Sequence, residues 1–145
     1  MSTIAGTTGN DTLFGTSSAD LMSALEGDDT VGVVVDTIYG NLGDDTIYGG
    51  AGIDSISGGA GNDSISSGGG SDILVFASDF GQDSIVDYDD GSDRFDARNS
   101  GVSSFSALTV AQSGSDTVIT FTAGNTITLI GVDKALIGSS DFTFS

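Results

Sequence analysis

Aspartates recur at a nearly constant interval through the first half of the chain. Successive members are nine residues apart at every step but one: Asp11, Asp20, Asp29, Asp36, Asp45, Asp54, Asp63 and Asp72. The clearest copies of the repeating unit are GGAGIDSIS (49–57) and GGAGNDSIS (58–66). Each joins a glycine-rich turn, an aspartate and one apolar residue between small polar ones. Such a short fixed period predicts a solenoid, because one unit cannot bury its apolar side without stacked neighbours.

A three-residue strand is predicted after each aspartate. In most units the residues that follow alternate polar, apolar and polar, as in TIY (46–48) and SIS (55–57). Period-two alternation turns the middle residue inward and its neighbours outward. Two units of turn and strand then form one coil of 18 residues. We therefore expect two short parallel sheets that face each other across a column of aliphatic side chains.

The composition restricts the partners and the chemistry. The chain has 21 acidic and three basic residues, a net charge of −18, and neither histidine nor cysteine. Without clustered Lys and Arg, nucleic acid and an acidic membrane surface are unsuitable partners. Without histidine, Ser-His triads, zinc proteases and histidine general bases are excluded, and we expect no enzyme activity. No apolar run is long enough to span a membrane, and the N-terminus has no signal-peptide pattern.

The repeating turns predict a site for a hard cation. Glycines permit backbone angles that let carbonyl oxygens fold inward, and an aspartate follows on a short side chain. Carbonyl and carboxylate oxygens without His or Cys select a hard cation, and flexible geometry with six or more ligands favours calcium over magnesium. Because equivalent turns lie about 4.8 Å apart at sheet spacing, two turns can share one ion.

The GGxGxDx(apolar)x units resemble the calcium-binding nonapeptide repeats of the RTX family, and the resemblance covers residues 6–75. It implies an all-β fold, a calcium-binding parallel β-roll built as a right-handed two-sheet solenoid. It also implies several bound Ca2+ ions, about four or more.

Sorting alternate aspartates separates two edges of the roll. On the first edge, a glycine lies two positions before every aspartate, with Asn or Asp between them. We predict a complete calcium row here, shared between successive aspartates. The expected ligand-bearing residues are Gly9, Asn10, Asp11, Gly27, Asp28, Asp29, Gly43, Asp44, Asp45, Gly58, Ala60, Gly61, Asn62 and Asp63.

The second edge is less complete. We predict one good site there, Asp54 with Asp72, and a weaker one that includes Asp36. The turn residues expected to contribute are Gly49, Ala51, Gly52, Gly68 and Gly70. The stretch VGVVVD (31–36) shortens one step by two residues and cannot form the same turn. Its valines either pack locally or form a contact face for another copy or partner.

The nonapeptide phase ends after Val75, and we divide the chain into a β-roll (1–76) and a C-terminal region (77–145). The acidic segment 83–96 is either one further cation site or a solvated loop. Strand-like runs at 106–112, 115–123 and 125–132 predict an antiparallel cap, with a hairpin turn at Gly124-Asn125. The final DFTFS resembles the end of RTX proteins, where a type I secretion signal lies, and is alternatively an edge strand.

The resemblance implies a secreted, extracellular or cell-surface protein that is exported by type I secretion machinery. We expect it to fold on binding extracellular Ca2+ and to act as a structural, adhesive or self-associating element. The alternative is a calcium-dependent module that binds an extracellular glycan, like the repeats attached to alginate epimerases. A third candidate is ice binding through the outward Thr and Ser ladder, which Phe14 and Tyr48 interrupt.

Overall fold

Short strands form two sheets in the computed structural model, which describes residues 3–7, 12–14, 21–26, 30–33 and 36–145. The first sheet contains, in spatial order, β1 (Thr3–Ala5), β3 (Leu21–Glu26), β5 (Thr37–Leu42), β7 (Ser55–Ala60), β9 (Ile73–Ala77), β11 (Arg94–Asn99) and β15 (Phe142–Thr143). The second contains β2 (Thr12–Phe14), β4 (Thr30–Val33), β6 (Thr46–Gly50), β8 (Ser64–Ser66), β10 (Gln82–Ile85), β14 (Asn125–Leu129), β13 (Asp116–Thr122) and β12 (Thr109–Ser113). Three 3-10 turns, at Phe105–Ala107, Lys134–Leu136 and Ser139–Asp141, complete the described elements.

Consecutive strands alternate between the two sheets from β1 to β11, so each strand pairs with the next strand but one. Thr37 pairs with Ser55, and Thr46 with Ser64, in parallel register. This arrangement confirms the predicted parallel β-roll. It follows from the repeat, because strands from every second unit are the ones that reach sheet spacing.

The middle residue of each triplet forms the core, as the alternation predicts. In the part of the repeat whose side chains are described, five such residues are at most 1% exposed: Ile38, Ile47, Ile56, Ile65 and Leu74. Burying one aliphatic side chain of this size contributes about 1.5–3 kcal/mol. The column is one residue wide on each sheet, so the glycine-rich roll has little apolar surface to hold it together.

The shortened step in the aspartate series changes the local register. Thr30 pairs with Thr46 across a coil that is two residues shorter than the next one, which joins Thr46 to Ser64. The pairing of β4 with β6 also shifts between Gly32 and Val33. Residues 34 and 35 lie outside the described residues, so the proposed valine contact face stays a prediction.

Parallel stacking continues beyond residue 76, where the sequence pattern suggested that the roll ends. Strand β10 pairs with β8, and β11 pairs with β9, both in parallel. The two added coils are longer, with 20 residues from Asp63 to Asp83 and 21 from Asp72 to Asp93. The change of period hides these coils from the nonapeptide pattern, and the division at residue 76 stays a prediction.

The C-terminal strands form the predicted antiparallel cap. Strand β13 pairs with β12 and β14 in antiparallel register, and β14 pairs with β10 in parallel, so the cap extends the second sheet. A two-residue turn at Ala123 and Gly124 joins β13 to β14, one residue earlier than predicted, because Asn125 already pairs with Thr122 as the first residue of β14. The DFTFS segment supplies β15, which pairs with β11 at the end of the first sheet.

Aromatic rings close the core at the cap. Phe80 lies edge-on to Phe76 and Phe121, with centroid distances of 4.9 and 5.2 Å. Phe142 of β15 packs on Phe95 at 4.8 Å. These pairs give the cap more apolar contact than the aliphatic column gives the roll. Among the elements described, no helix has the length and apolar character that crossing a membrane requires.

Candidate metal centre

Aspartates of successive coils form two rows, one along each edge of the roll. The first row contains Asp45, Asp63 and Asp83, and the second contains Asp36, Asp54, Asp72 and Asp93. In each row, the backbone N–H of one aspartate donates to carboxylate Oδ1 of the aspartate one coil later. The N–O distances are 2.6 Å for Asp36 to Asp54, 2.9 Å for Asp45 to Asp63, 2.9 Å for Asp54 to Asp72, 3.0 Å for Asp63 to Asp83 and 3.1 Å for Asp72 to Asp93.

In several of the described aspartates the second carboxylate oxygen is buried and accepts no hydrogen bond. It is Oδ2 of Asp54, Asp63, Asp72 and Asp83. Each of these residues is at most 2% exposed. A buried carboxylate oxygen without a partner is costly, because water no longer solvates it. A hard cation with oxygen ligands satisfies such atoms, so the donor set fits the calcium that the turns predict.

Burial also raises the pKa of these carboxyl groups. The pKa rises from the usual 3.8 to about 6 for Asp54 and Asp63, and to about 8 for Asp83. The pKa of Asp72 is raised as well, first by burial and then by the nearby Asp93 and Asp87. In each case the backbone N–H bond to Oδ1 opposes the effect. Without a cation, burial in the turns therefore favours the protonated, neutral form of these carboxyl groups.

Because glycine has no Cβ atom, glycines in the turns leave space for the buried carboxylates. A Cβ atom on Gly58 would overlap the carboxylate of Asp63. At Gly61 the backbone has φ +152°, and a Cβ would overlap the carbonyl oxygen of Gly43 in the preceding coil. Side chains other than hydrogen are therefore excluded where the turn closes around the aspartate.

A second ladder runs outside the first row. Oδ1 of Asp44 accepts from the N–H of Asn62 at 2.7 Å, and Oδ1 of Asn62 accepts from the N–H of Gln82 at 3.0 Å. Oδ1 of Asn125 accepts from the N–H of Gly81 and continues the series into the cap. Asp44 and Asn62, which precede first-edge aspartates, therefore each brace one coil against the next. Their assignment as calcium ligands stays a prediction.

The second edge has a different residue at the same position. Ile53, which precedes Asp54, is 62% exposed, and Ser71, which precedes Asp72, is exposed too. Isoleucine cannot accept a backbone hydrogen bond. The outer ladder therefore belongs to the first edge, which gives a physical basis for the difference between the edges in the sequence.

The acidic segment 83–96 is divided among several roles. Asp83 and Asp93 continue the two rows. Asp87 accepts from the N–H groups of Ser67 and Gly68 at 2.9 and 3.0 Å, so it caps a turn of the roll. In Asp93, Oδ1 accepts from Asp72 and Oδ2 accepts from the N–H of Asp89 at 3.0 Å. Hydrogen bonds thus satisfy both oxygens of Asp87 and of Asp93.

The structure brings together the predicted residues that it describes. In first-edge turns lie Gly43, Asp44, Asp45, Gly61, Asn62 and Asp63, with Gly58 and Ala60 at the end of β7 just before the turn. In second-edge turns lie Asp36, Ala51, Gly52, Asp54, Gly68, Gly70 and Asp72, with Gly49 near the end of β6. Six predicted residues fall outside the described residues: Gly9, Asn10, Asp11, Gly27, Asp28 and Asp29. Within the described ranges, no three acidic side chains converge on one point. Any cation here would take most of its ligands from backbone carbonyls, and the ligand assignments stay predictions.

Asp83 and Asp93 are row members that the nine-residue pattern missed. The available signal was the triplet Gly-x-Asp, which occurs as GQD (81–83) and GSD (91–93). Each is followed by a polar and then an apolar residue, as in the regular units. A search for this shorter motif without a fixed spacing would have found both.

Comparisons with known proteins agree with the geometry. The family model of the RTX calcium-binding nonapeptide repeat, in four copies, matches residues 3–31, 39–74 and 48–85. Among curated proteins, none matches the chain significantly.

Several solved structures share the fold. The AlgE6R2 subunit of the Azotobacter vinelandii mannuronan C5-epimerase has 26% identity and a TM-score of 0.64, over 97% of this chain and 91% of that one. The AlgE6R3 subunit of the same epimerase has 24% identity and a TM-score of 0.55, over 95% of this chain and 80% of that one. The extracellular lipase LipA from Serratia marcescens has 17% identity and a TM-score of 0.52, over 97% of this chain and 39% of the lipase. The last two likenesses concern the fold alone.

Proposed function

Because the chain belongs to the family of RTX calcium-binding nonapeptide repeat proteins, we propose that calcium binding drives its folding outside the cell. The protein is a calcium-binding β-roll. The observation that supports calcium-driven folding is the set of buried carboxylate oxygens without hydrogen bonds in Asp54, Asp63, Asp72 and Asp83. Calcium would lie between successive turns, held by these carboxylates and by turn carbonyls, and would neutralise their charge.

The energetics favour folding only when calcium is present. The chain carries a net charge of −18, and its 23 glycines lose much conformational freedom on folding. The aliphatic column offsets little of this cost. Calcium that binds only the folded form shifts the equilibrium toward it, with site affinities of about 10⁻⁴ to 10⁻³ M for extracellular modules. The chain would stay largely unfolded in a low-calcium cytosol and fold after type I secretion.

Circular dichroism during a calcium titration tests this proposal. In excess chelator we expect little β structure, and millimolar calcium should restore it with a compact hydrodynamic radius. Magnesium at the same concentration is the control, and it should be much less effective because its octahedral geometry fits carbonyl-rich turns poorly. Unchanged β structure in chelator would contradict calcium-driven folding.

The folded roll would serve as an extracellular structural, adhesive or self-associating element. Its exposed second-edge residue Ile53 supports a contact surface on that side. Light scattering during the calcium titration distinguishes a monomer from an ordered assembly. A monomer at every calcium and protein concentration would contradict self-association and leave calcium-driven folding unaffected.

A calcium-dependent glycan-binding module is the second candidate. The likeness to the AlgE6R2 subunit of a mannuronan epimerase, at 26% identity over 97% of the chain, favours it. A chain of charge −18 repels an acidic polysaccharide, so calcium would have to bridge the two. We expect alginate binding in calcium and none in chelator, measured by calorimetry with neutral dextran as control. No binding to alginate in calcium would reject this candidate for that glycan.

A further inference from the structure

A turn outside the nonapeptide pattern carries a buried carboxylate in the first row. Residues 78–83 read SDFGQD and keep only one of the three glycines found in GGAGND (58–63). The sequence pattern therefore placed the last first-edge site between Asp45 and Asp63. Asp83 is nevertheless 1% exposed and lies one coil after Asp63.

The backbone of this turn repeats that of the regular turn before it. The N–H of Gly61 donates to the carbonyl of Phe80, as the N–H of Gly43 donates to that of Ala60. The N–H of Ser84 donates to the carbonyl of Asp63 at 2.8 Å. Other residues stand at the positions of the missing glycines and keep this backbone geometry.

Asp79 takes the left-handed conformation of the second glycine, with φ +61° against +112° at Gly59. Aspartate and asparagine are the side chains that adopt this region most readily, and Asn41, with φ +83°, does the same in an earlier turn. Phe80 fills the next position and packs into the aromatic core. A degenerate sequence therefore folds into a regular turn.

We propose that Asp63 and Asp83 together hold a further calcium ion at the junction of roll and cap. Both residues have a buried Oδ2 that accepts no hydrogen bond, while Oδ1 of Asp83 accepts from the N–H of Asp63 at 3.0 Å. This is the arrangement that Asp54 and Asp72 show on the second edge. The inference rests on the proposed calcium binding by the aspartate rows and adds a site to them.

The position of this site connects calcium to the cap. Asp83 lies in β10, which pairs with β8 of the roll on one side and β14 of the cap on the other. The N–H of Thr126 donates to the carbonyl of Gly81 at 2.8 Å, and the N–H of Gly81 donates to Asn125. An ion at Asp83 therefore stabilises the strand through which the cap joins the roll.

Counting bound calcium in the full chain tests the site. Asp83→Asn keeps the size of the side chain and an oxygen for the Asp63 N–H, but removes the charge that a cation needs. We expect it to bind one calcium ion fewer per chain than the wild type by equilibrium dialysis. Asp79→Asn is the matched control, because it removes the same charge from an exposed position in the same turn and keeps the left-handed conformation. It should bind as many ions as the wild type.

The outcomes separate this site from the general proposal. A wild-type chain that binds no calcium overturns the proposed function, whereas equal counts in wild type and Asp83→Asn overturn only this site and make Asp83 a neutral buried acid. If Asp83→Asn does not fold, the NMR chemical shifts of backbone amides in the wild type test the site instead. Calcium should shift the amides of Gln82 and Ser84, and unchanged amides there during folding of the remaining turns would overturn the site.

Discussion

At the scale of single residues, Gly58 and Gly69 are glycines of adjacent repeat units with opposite tolerance for a side chain. A Cβ on Gly58 would overlap the carboxylate of Asp63, whereas a Cβ on Gly69 would meet nothing within 4 Å. Gly69 also has no positive φ. The aligned units already indicate this difference, because Ala51 and Ala60 occupy the position of Gly69, whereas both GGAG units have glycine at the position of Gly58.

Gly58→Ala should therefore destabilise the calcium-bound fold, by about 1–3 kcal/mol, since the methyl group displaces the buried carboxylate of Asp63. Gly69→Ala should be neutral or stabilise by up to about 1 kcal/mol, because it only restricts the unfolded chain. Urea denaturation in saturating calcium measures both. Equal effects of the two substitutions would show that Gly58 does not shape the site.

The raised pKa values of Asp63, about 6, and Asp83, about 8, predict how pH acts on the calcium-free chain. A carboxyl group with a higher pKa in the folded state binds its proton more tightly there, so protonation stabilises the fold. This stabilisation is complete below the unfolded pKa of 3.8 and is lost as pH rises through the folded values.

In chelator, β structure measured by circular dichroism should therefore increase as the pH falls from about 8 to about 4. In calcium the trend should reverse, because protons would compete with the cation for the carboxylates proposed to bind it, and apparent calcium affinity would rise with pH. A chelated sample that gains β structure on alkalinisation would contradict the burial of these groups.

At the scale of elements, the outer ladder makes the turns of the first edge different from those of the second. Asn62 joins two coils through the N–H of Gln82, while the equivalent second-edge residues are Ile53 and Ser71. Asn62→Ala should cost about 0.5–1.5 kcal/mol, the net value of one hydrogen bond. Ser71→Ala, at an exposed position, is the control and should change stability by less than about 0.5 kcal/mol. Thermal unfolding in calcium compares them, and equal costs would contradict a bracing role for Asn62.

Features that depend only on neighbouring residues in the chain were predictable from the sequence. Alternation around Ile47 and Ile56 was enough to place both in the core. The hairpin near Gly124 was recognisable from its residue types, although its turn lies one residue earlier than predicted. Asp83 and Asp93 were missed because their coils contain inserted residues that break the period. The pairing of β14 with β10 was not predictable either, since a parallel contact between distant segments leaves no local pattern.

At the scale of the whole molecule, apolar contact is unevenly distributed along the solenoid. The cap end contains a cluster of rings that includes Phe76, Phe80 and Phe121, whereas β5 and β6 contribute single isoleucines. At calcium concentrations just below the folding midpoint, amides of β13 and β14 should exchange hydrogen more slowly than those of β5 and β6. Saturating calcium should reduce this difference. Uniform exchange along the chain at the midpoint would indicate one cooperative unit.

The two aspartate rows also give the roll the electrostatics of a short polyelectrolyte. Each coil adds about 4.8 Å of length and one aspartate per row, or one charge per about 2.4 Å when both are ionised. Double-stranded DNA carries one charge per about 1.7 Å and gathers a condensed layer of counterions. A roll with a similar line density accumulates cations along both edges, so sodium competes with calcium as the turns form. The calcium concentration needed for folding is thus tied to the salinity in which the protein works.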